Sequence, residues 1–373
     1  MRFQLSGRVR LIALFAVALF ALAALPAGAV PSTNGKILFG QVFPNYGVTI
    51  NPDGSNPIQI GPVDSTTCDT WSPGSSKVLC NVWSPEGVQP GVQPATANPD
   101  GSGFTLLNSN LPLDLFCLNW SPSGTRLLCH SEGMANPADA GLYTVRASDA
   151  GDLVRVTTQL PGSGIGDIGY GYSPDGSRIL YAQFDSNDHG TLFSVRTDGT
   201  NPIQLSPSGV SVVDLGFFDR AGADWSPDGS RVTFAAFNGS NHFSTALYMV
   251  NADGTDLHQI TPPGFGATSA QWSPNGALIA FTSCASSPRT CGIPQAWVVR
   301  PDGGGLRQVT TPIDRAVFLT PVWSPDSSKL LLDKVDHNNQ ASVWTINLDG
   351  SGLLKLADTP QPSILDWGSA PAD

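Results

Sequence analysis

From residue 34 to residue 368, short runs in which apolar and polar residues alternate recur along the chain, separated by tight clusters of Ser, Pro, Asp, Asn and Gly. A period of two is the pattern of half-buried β-strands, and those clusters are the residues that tight turns require. No stretch after residue 29 sustains the 3.6-residue period of a helix. The pattern predicts an all-β chain.

Two motifs alternate within it. The first is an aromatic residue, Ser, Pro, a variable position and Gly, followed by an apolar run, as in WSPDGSRVTF at Trp225. It occurs at Trp71, Trp120, Tyr172, Trp225, Trp272 and Trp323, with successive aromatics 47 to 53 residues apart. The second is an alternating run, a Gly-bearing turn around an Asp and a further run, as in YMVNADGTDLHQI. It has seven copies, at Asp53, Asp100, Asp149, Asp198, Asp253, Asp302 and Asp349. Pro sets φ, Asp or Asn accepts bonds from nearby N–H groups, and Gly supplies positive φ, so each motif reads as a hairpin. Two hairpins per repeat of about 50 residues make the four-stranded unit of a propeller blade.

The ends divide one repeat between them. Asn34-Gly35-Lys36-Ile37-Leu38-Phe39 matches the second half of the first motif, and Ile364-Leu365-Asp366-Trp367-Gly368 matches its first half. The expected fold is therefore a seven-bladed β-propeller of four-stranded antiparallel blades, rather than six or eight. The C-terminal strand is expected to join the first blade and close the ring, which removes exposed strand edges. A single domain over residues 30–373 follows, with about seven repeats.

These repeats resemble those of the TolB-like β-propeller family and of prolyl-oligopeptidase relatives, over nearly all of residues 34–368. The resemblance implies a propeller but no particular activity. TolB itself has six blades and an α/β domain ahead of them with no counterpart in this sequence. Neither its partner nor its import role is carried over.

Composition places the chain outside the cytoplasm. Arg2, Arg8 and Arg10 precede an apolar run from Leu11 to Leu25, and Ala27-Gly28-Ala29 follows as a small-residue cleavage site. This reads as a secretory signal peptide over residues 1–29, cleaved after Ala29. The run is shorter than the roughly 20 residues a membrane-spanning helix needs, so no stable membrane insertion is expected after cleavage. Beyond residue 29 the chain holds 16 Lys and Arg against 30 Asp and Glu. A net charge near −14 argues against nucleic acid and anionic lipid as partners. The expected location is secreted or periplasmic.

The cysteines fit that location. Six fall in three near pairs. Cys68 and Cys80 straddle the Trp71 turn, and Cys117 and Cys129 straddle the Trp120 turn at the same offsets, which makes them facing positions of a hairpin. Cys284 and Cys291 flank a loop in the sixth repeat. Disulfides Cys68–Cys80, Cys117–Cys129 and Cys284–Cys291 are expected in an exported chain. The competing reading, a Cys metal site, usually needs pairs two to four residues apart.

Candidate chemistry is sparse. No Gly-x-Ser-x-Gly elbow lies in residues 30–373, and the repeats leave no room for a hydrolase domain. The Ser and Asp of the first motif, such as Ser173, Asp175, Ser226 and Asp228, read as turn formers because Ser123 and Asn275 replace the Asp elsewhere. The repeated aromatics read as packing between blades. Function in propellers sits on loops. Loops after the second strand of several units carry His beside acids or amides: His130 with Glu132, Asp185 with Asp188 and His189, Asn241 with His242, and Asp336 with His337. These are the candidate ligand contacts, expected to ring one mouth of the central channel. Phe217, Phe218 and Arg220 in the long link between units four and five, and Trp83 in a non-repeat insertion of the second unit, are candidate partner contacts. No catalytic residue and no cofactor are assigned, and a metal at the mouth is left open. The leading expectation is a non-catalytic binding or scaffold module for a protein or other envelope ligand. The alternative is a single-domain propeller enzyme, a lyase or hydrolase, using His and Asp or a metal at one mouth.

Overall fold

The protein is described from a computed structural model covering residues 33–370, apart from 42–44, 84–90, 108–113, 134–135, 160–165, 188, 213–221, 239–243, 288–289, 312, 314 and 362–363. At 41, 238, 285–287 and 290–291 the backbone alone is described. The expected signal peptide lies outside these residues. No described helix is long and apolar enough to cross a membrane.

The described strands group into six antiparallel sheets, five of four strands and one of nine in which two four-stranded blades are joined. The joined blades are the fourth and fifth, linked by a short additional strand, Val210–Val212, which pairs with both. Each blade runs outward in sequence order from its innermost strand, except the first, whose order is Ile364–Ser369, Asn34–Gln41, Tyr46–Ile50 and Ile58–Ile60. There the last strand of the chain pairs antiparallel with the first, Ile37 facing Trp367 and Phe39 facing Leu365. Every blade packs on the next, and the seventh packs on the first. The divided repeat is thus made whole within the first blade.

Both turn families behave as their residues dictate. In the fifth blade Ser226 Oγ donates to Asp228 Oδ1 at 2.6 Å and accepts from the backbone N–H of Arg231 at 2.9 Å. Gly229 sits at φ 70°. In the second family Asp253 Oδ1 accepts from the N–H and hydroxyl of Thr255, at 3.0 and 2.6 Å. The equivalent Asp accepts the N–H two residues on in all seven copies. The repeated Asp residues therefore hold turns.

The core lies between blades. Trp71, Trp225, Trp272, Trp323 and Trp367 are each 5–7% exposed, while Trp120 and Tyr172 are half-buried. Indole area buried against a neighbouring sheet is a large stabilising term for each blade pair. Cys68–Cys80 and Cys117–Cys129 are disulfides with Cα atoms 3.9 and 3.8 Å apart, joining the two innermost strands of the second and third blades. Cys284 is disulfide-bonded too; the side chain of Cys291, its expected partner, is among those not described.

Candidate functional site

The innermost strands that wall the central channel are Ile364–Ser369, Thr66–Trp71, Phe116–Trp120, Asp167–Tyr172, Ala223–Trp225, Ala267–Trp272 and Val317–Trp323. Five of them carry a β-bulge just before the aromatic, between Cys68 and Thr70, Cys117 and Asn119, Gly169 and Gly171, Thr268 and Gln271, and Leu319 and Val322. A bulge re-aims side chains. Here it brings Thr70, Asn119, Gln271 and Val322, next to the aromatic, to a cavity of about 470 Å³ that Asp224 and Asp366 line from the two inner strands without such a bulge. Asp69, Tyr170 and Thr320 join them from the bulges. Thr320 holds φ 45°, a strained value for a β-branched residue.

The channel is acidic. Asp69, Asp224 and Asp366 line it, and no Lys, Arg or His does among the described residues. Two of these carboxylates tie neighbouring blades together. Asp366 Oδ2 accepts from the backbone N–H of Trp71 and the hydroxyl of Thr70, both at 2.8 Å. Asp224 Oδ2 accepts from the N–H of Trp272 at 2.8 Å. Asn119 makes the equivalent link by donating to the carbonyl of Tyr170 at 3.2 Å. Loss of solvation pushes the Asp224 carboxyl up to about 7, although backbone N–H bonds from Trp272 and Trp225 favour its charge.

The candidates at the mouth are partly in view. Asp185 Oδ1 accepts from the N–H groups of Asn187 and His189, at 2.8 and 3.0 Å, and its Oδ2 lies 3.6 Å from His189 Nδ1. Those bonds hold the Asp185 carboxyl below the usual range. Asp336 Oδ1 likewise accepts from Asn338 and Gln340, beside His337. Both acids thus close their own loops. Asp188, Asn241, His242, Phe217, Phe218 and Arg220 lie outside the described residues. Trp83 ends a strand, half-buried, with its ring 5.9 Å from that of Phe116 in the next blade. His130 departs from its expected place on a mouth loop. It lies within the strand Arg126–Ser131, opposite Phe116 and Leu142, and is 6% exposed. Burial holds its imidazole down at about 4.

Sequence reasoning passed over the residues that line the channel. A signal exists: the position before each repeated aromatic is Thr70, Asn119, Gly171, Asp224, Gln271, Val322 and Asp366 in turn, so five of seven are polar. Strict alternation places that position opposite the aromatic but does not say that the opposite side is the channel.

Fold and repeat together define a β-propeller with its walls built from aromatic-Ser-Pro hairpins. The family model described as the TolB beta propeller domain matches residues 213–364. An uncharacterized protein of Agrobacterium fabrum strain C58 is 26% identical over 253 residues, covering 57% of this chain and 81% of that protein. Among solved structures, TolB from Acinetobacter baumannii has a TM-score of 0.53 at 13% identity, covering 91% of this chain and 81% of that one. Oligogalacturonate lyase from Vibrio parahaemolyticus has a TM-score of 0.59 at 13% identity, covering 83% and 85%. At these identities the solved structures speak to the fold.

Proposed function

We propose that this protein is an exported, non-catalytic binding or scaffold module whose partner is a protein or another envelope ligand, engaged through the loops at one mouth of the propeller. The observation that carries the reading is the use made of the channel carboxylates. Asp224 and Asp366 each accept the backbone N–H of a neighbouring blade's Trp, an architectural role rather than that of a free acid or base. Disulfides within the blades support export.

The contact set consists of Asp185, Asp188, His189, Asn241, His242, Asp336 and His337, and Phe217, Phe218, Arg220 and Trp83 are the further candidate partner contacts. The test is a crosslinking pull-down from native envelope and culture fluid. The wild-type chain is compared with one carrying His189→Ala and His337→Ala, and with one carrying Phe217→Ala, Phe218→Ala and Arg220→Ala. Loss of a specific captured protein in either variant supports the reading. An unchanged set of captured proteins overturns the mouth as the contact surface. A metal-dependent rise in melting temperature that His189→Ala or His337→Ala abolishes would instead favour the enzyme reading, a lyase or hydrolase with its site at the same mouth.

A further inference from the structure

The outermost strand of the seventh blade, Leu354–Thr359, has six residues, whereas those of the other six blades have two or three. The cause is one missing hydroxyl. In the third to sixth blades the outer strand ends two residues before Thr157, Ser206, Thr261 or Thr310. The hydroxyl oxygens of these residues accept the N–H of Leu142, Leu192, Leu247 or Ala296 in the third strand, at 2.9–3.0 Å. A side-chain acceptor there takes a donor out of the ladder, and the outer strand turns away. The register puts Ala357 at the equivalent place, opposite Val343. With no hydroxyl to compete, the pairing runs on through Asp358 with Ser342 and Thr359 with Ala341.

That strand is the edge of its sheet. Ala341–Asn347 lies on one side of it, and among the described residues the backbone of 354–359 makes no bond on the other. A row of unpaired N–H and C=O groups is a template for a further strand, which short outer strands avoid presenting. The charges along this edge say which strand would fit. The register skips Leu356, so Lys355 and Asp358 project from the same face of the strand, where they form an ion pair. Both are exposed, so solvent screens the pair and it adds little to the stability of a single chain.

We propose that this edge pairs two copies of the chain, antiparallel about a two-fold axis at Ala357. In that register Lys355 of each copy stands opposite Asp358 of the other, on the same face of the joined sheet. Opposite charges at directly facing positions stabilise an antiparallel pair, and like charges destabilise it. A parallel pairing in register would set Lys355 on Lys355 and Asp358 on Asp358. A foreign peptide would need a matching order of charges, which a second copy already carries. The rim of the seventh blade is not the mouth proposed to hold the partner, so this contact goes beyond that reading.

Sedimentation equilibrium on the full exported chain tests this. The wild type should associate to a dimer as concentration rises. Lys355→Asp or Asp358→Lys alone puts like charges at both contacts and should weaken the dimer roughly tenfold or more. Neither side chain is buried, so both variants should fold, as a thermal melt checks. An equimolar mixture of the two should recover a dimer about as tight as that of the wild type, because each variant supplies at both contacts the charge the other needs. Repair within one chain cannot give that result. A wild type that stays monomeric throughout, single variants that associate as the wild type does, or a mixture that stays monomeric would each overturn the proposal. None of these results depends on proteins captured at the mouth, so the two readings fail separately.

Discussion

Asp366, on the last strand of the chain, accepts a hydrogen bond from the backbone N–H of Trp71 at 2.8 Å, across 295 positions of sequence. The same carboxylate binds the Thr70 hydroxyl and the N–H of Trp367. One side chain thus joins the closing strand of the first blade to the inner strand of the second.

Asp366→Ala should therefore destabilise the ring by about 2–3 kcal/mol, because it leaves a backbone N–H and a hydroxyl without their charged acceptor. Asp366→Asn keeps one acceptor oxygen and should lose less. Chemical denaturation followed by tryptophan fluorescence measures both. Equal stability of wild type and Asp366→Ala would show that strand pairing alone closes the ring.

Two groups with shifted ionisation, Asp224 and His130, should give opposite pH dependences. The Asp224 carboxyl is raised from 3.8 to about 7 in the fold, so between about pH 4 and pH 7 the unfolded chain loses a proton that the native chain keeps. Its contribution is complete below pH 4 and is lost as pH rises through 7. His130 is lowered from 6.5 to about 4, so its contribution is complete above about pH 6.5 and is lost as pH falls through 4. Asp224→Asn should gain on the wild type as pH rises from 4 to 7, and His130→Gln should gain on it as pH falls over the same range. Melting temperatures of the three proteins at pH 4.5, 6 and 8 measure this. Parallel curves would contradict both assignments.

The hairpin disulfides close short loops, Cys68 to Cys80 and Cys117 to Cys129, each 12 residues apart. Replacing Cys68 and Cys80 together by Ala should cost about 2–3 kcal/mol by relaxing the unfolded chain. The unfolding midpoint with and without reductant checks it: reductant should lower the wild type further than the variant.

Gly254 turns the fifth blade at φ 85°, and a Cβ there would sit 2.9 Å from the carbonyl oxygen of Gln204 in the fourth blade. Gly254→Ala combines left-handed strain with a clash against backbone and should cost about 1–2 kcal/mol. Gly74→Ala has the same kind of φ, 74°, and open space around it, so it should cost less. A melt that ranks the two the other way would contradict the packing described between those blades.

Strand type, turn chemistry and the divided first blade are all legible in the sequence, because each depends on local rules. Period two marks the strands, Ser226 and Asp228 close their turn within a few residues, and a repeat split between Asn34 and Trp367 has one way to become whole. The paired cysteines follow from the same register.

What faces the channel was decided by the tertiary structure. Bulges such as the one between Cys117 and Asn119 interrupt the alternation of period two in five of the seven inner strands, and they re-aim the residues beside those aromatics. Asp224 resembles a surface carboxylate until the fifth and sixth blades meet around it, and His130 resembles a loop residue until Phe116 and Leu142 flank it in the sheet. Pattern along a chain fixes which neighbours bond locally. Solvation and inter-blade contact depend on residues tens or hundreds of positions away, and those set the charge and the work of each buried group.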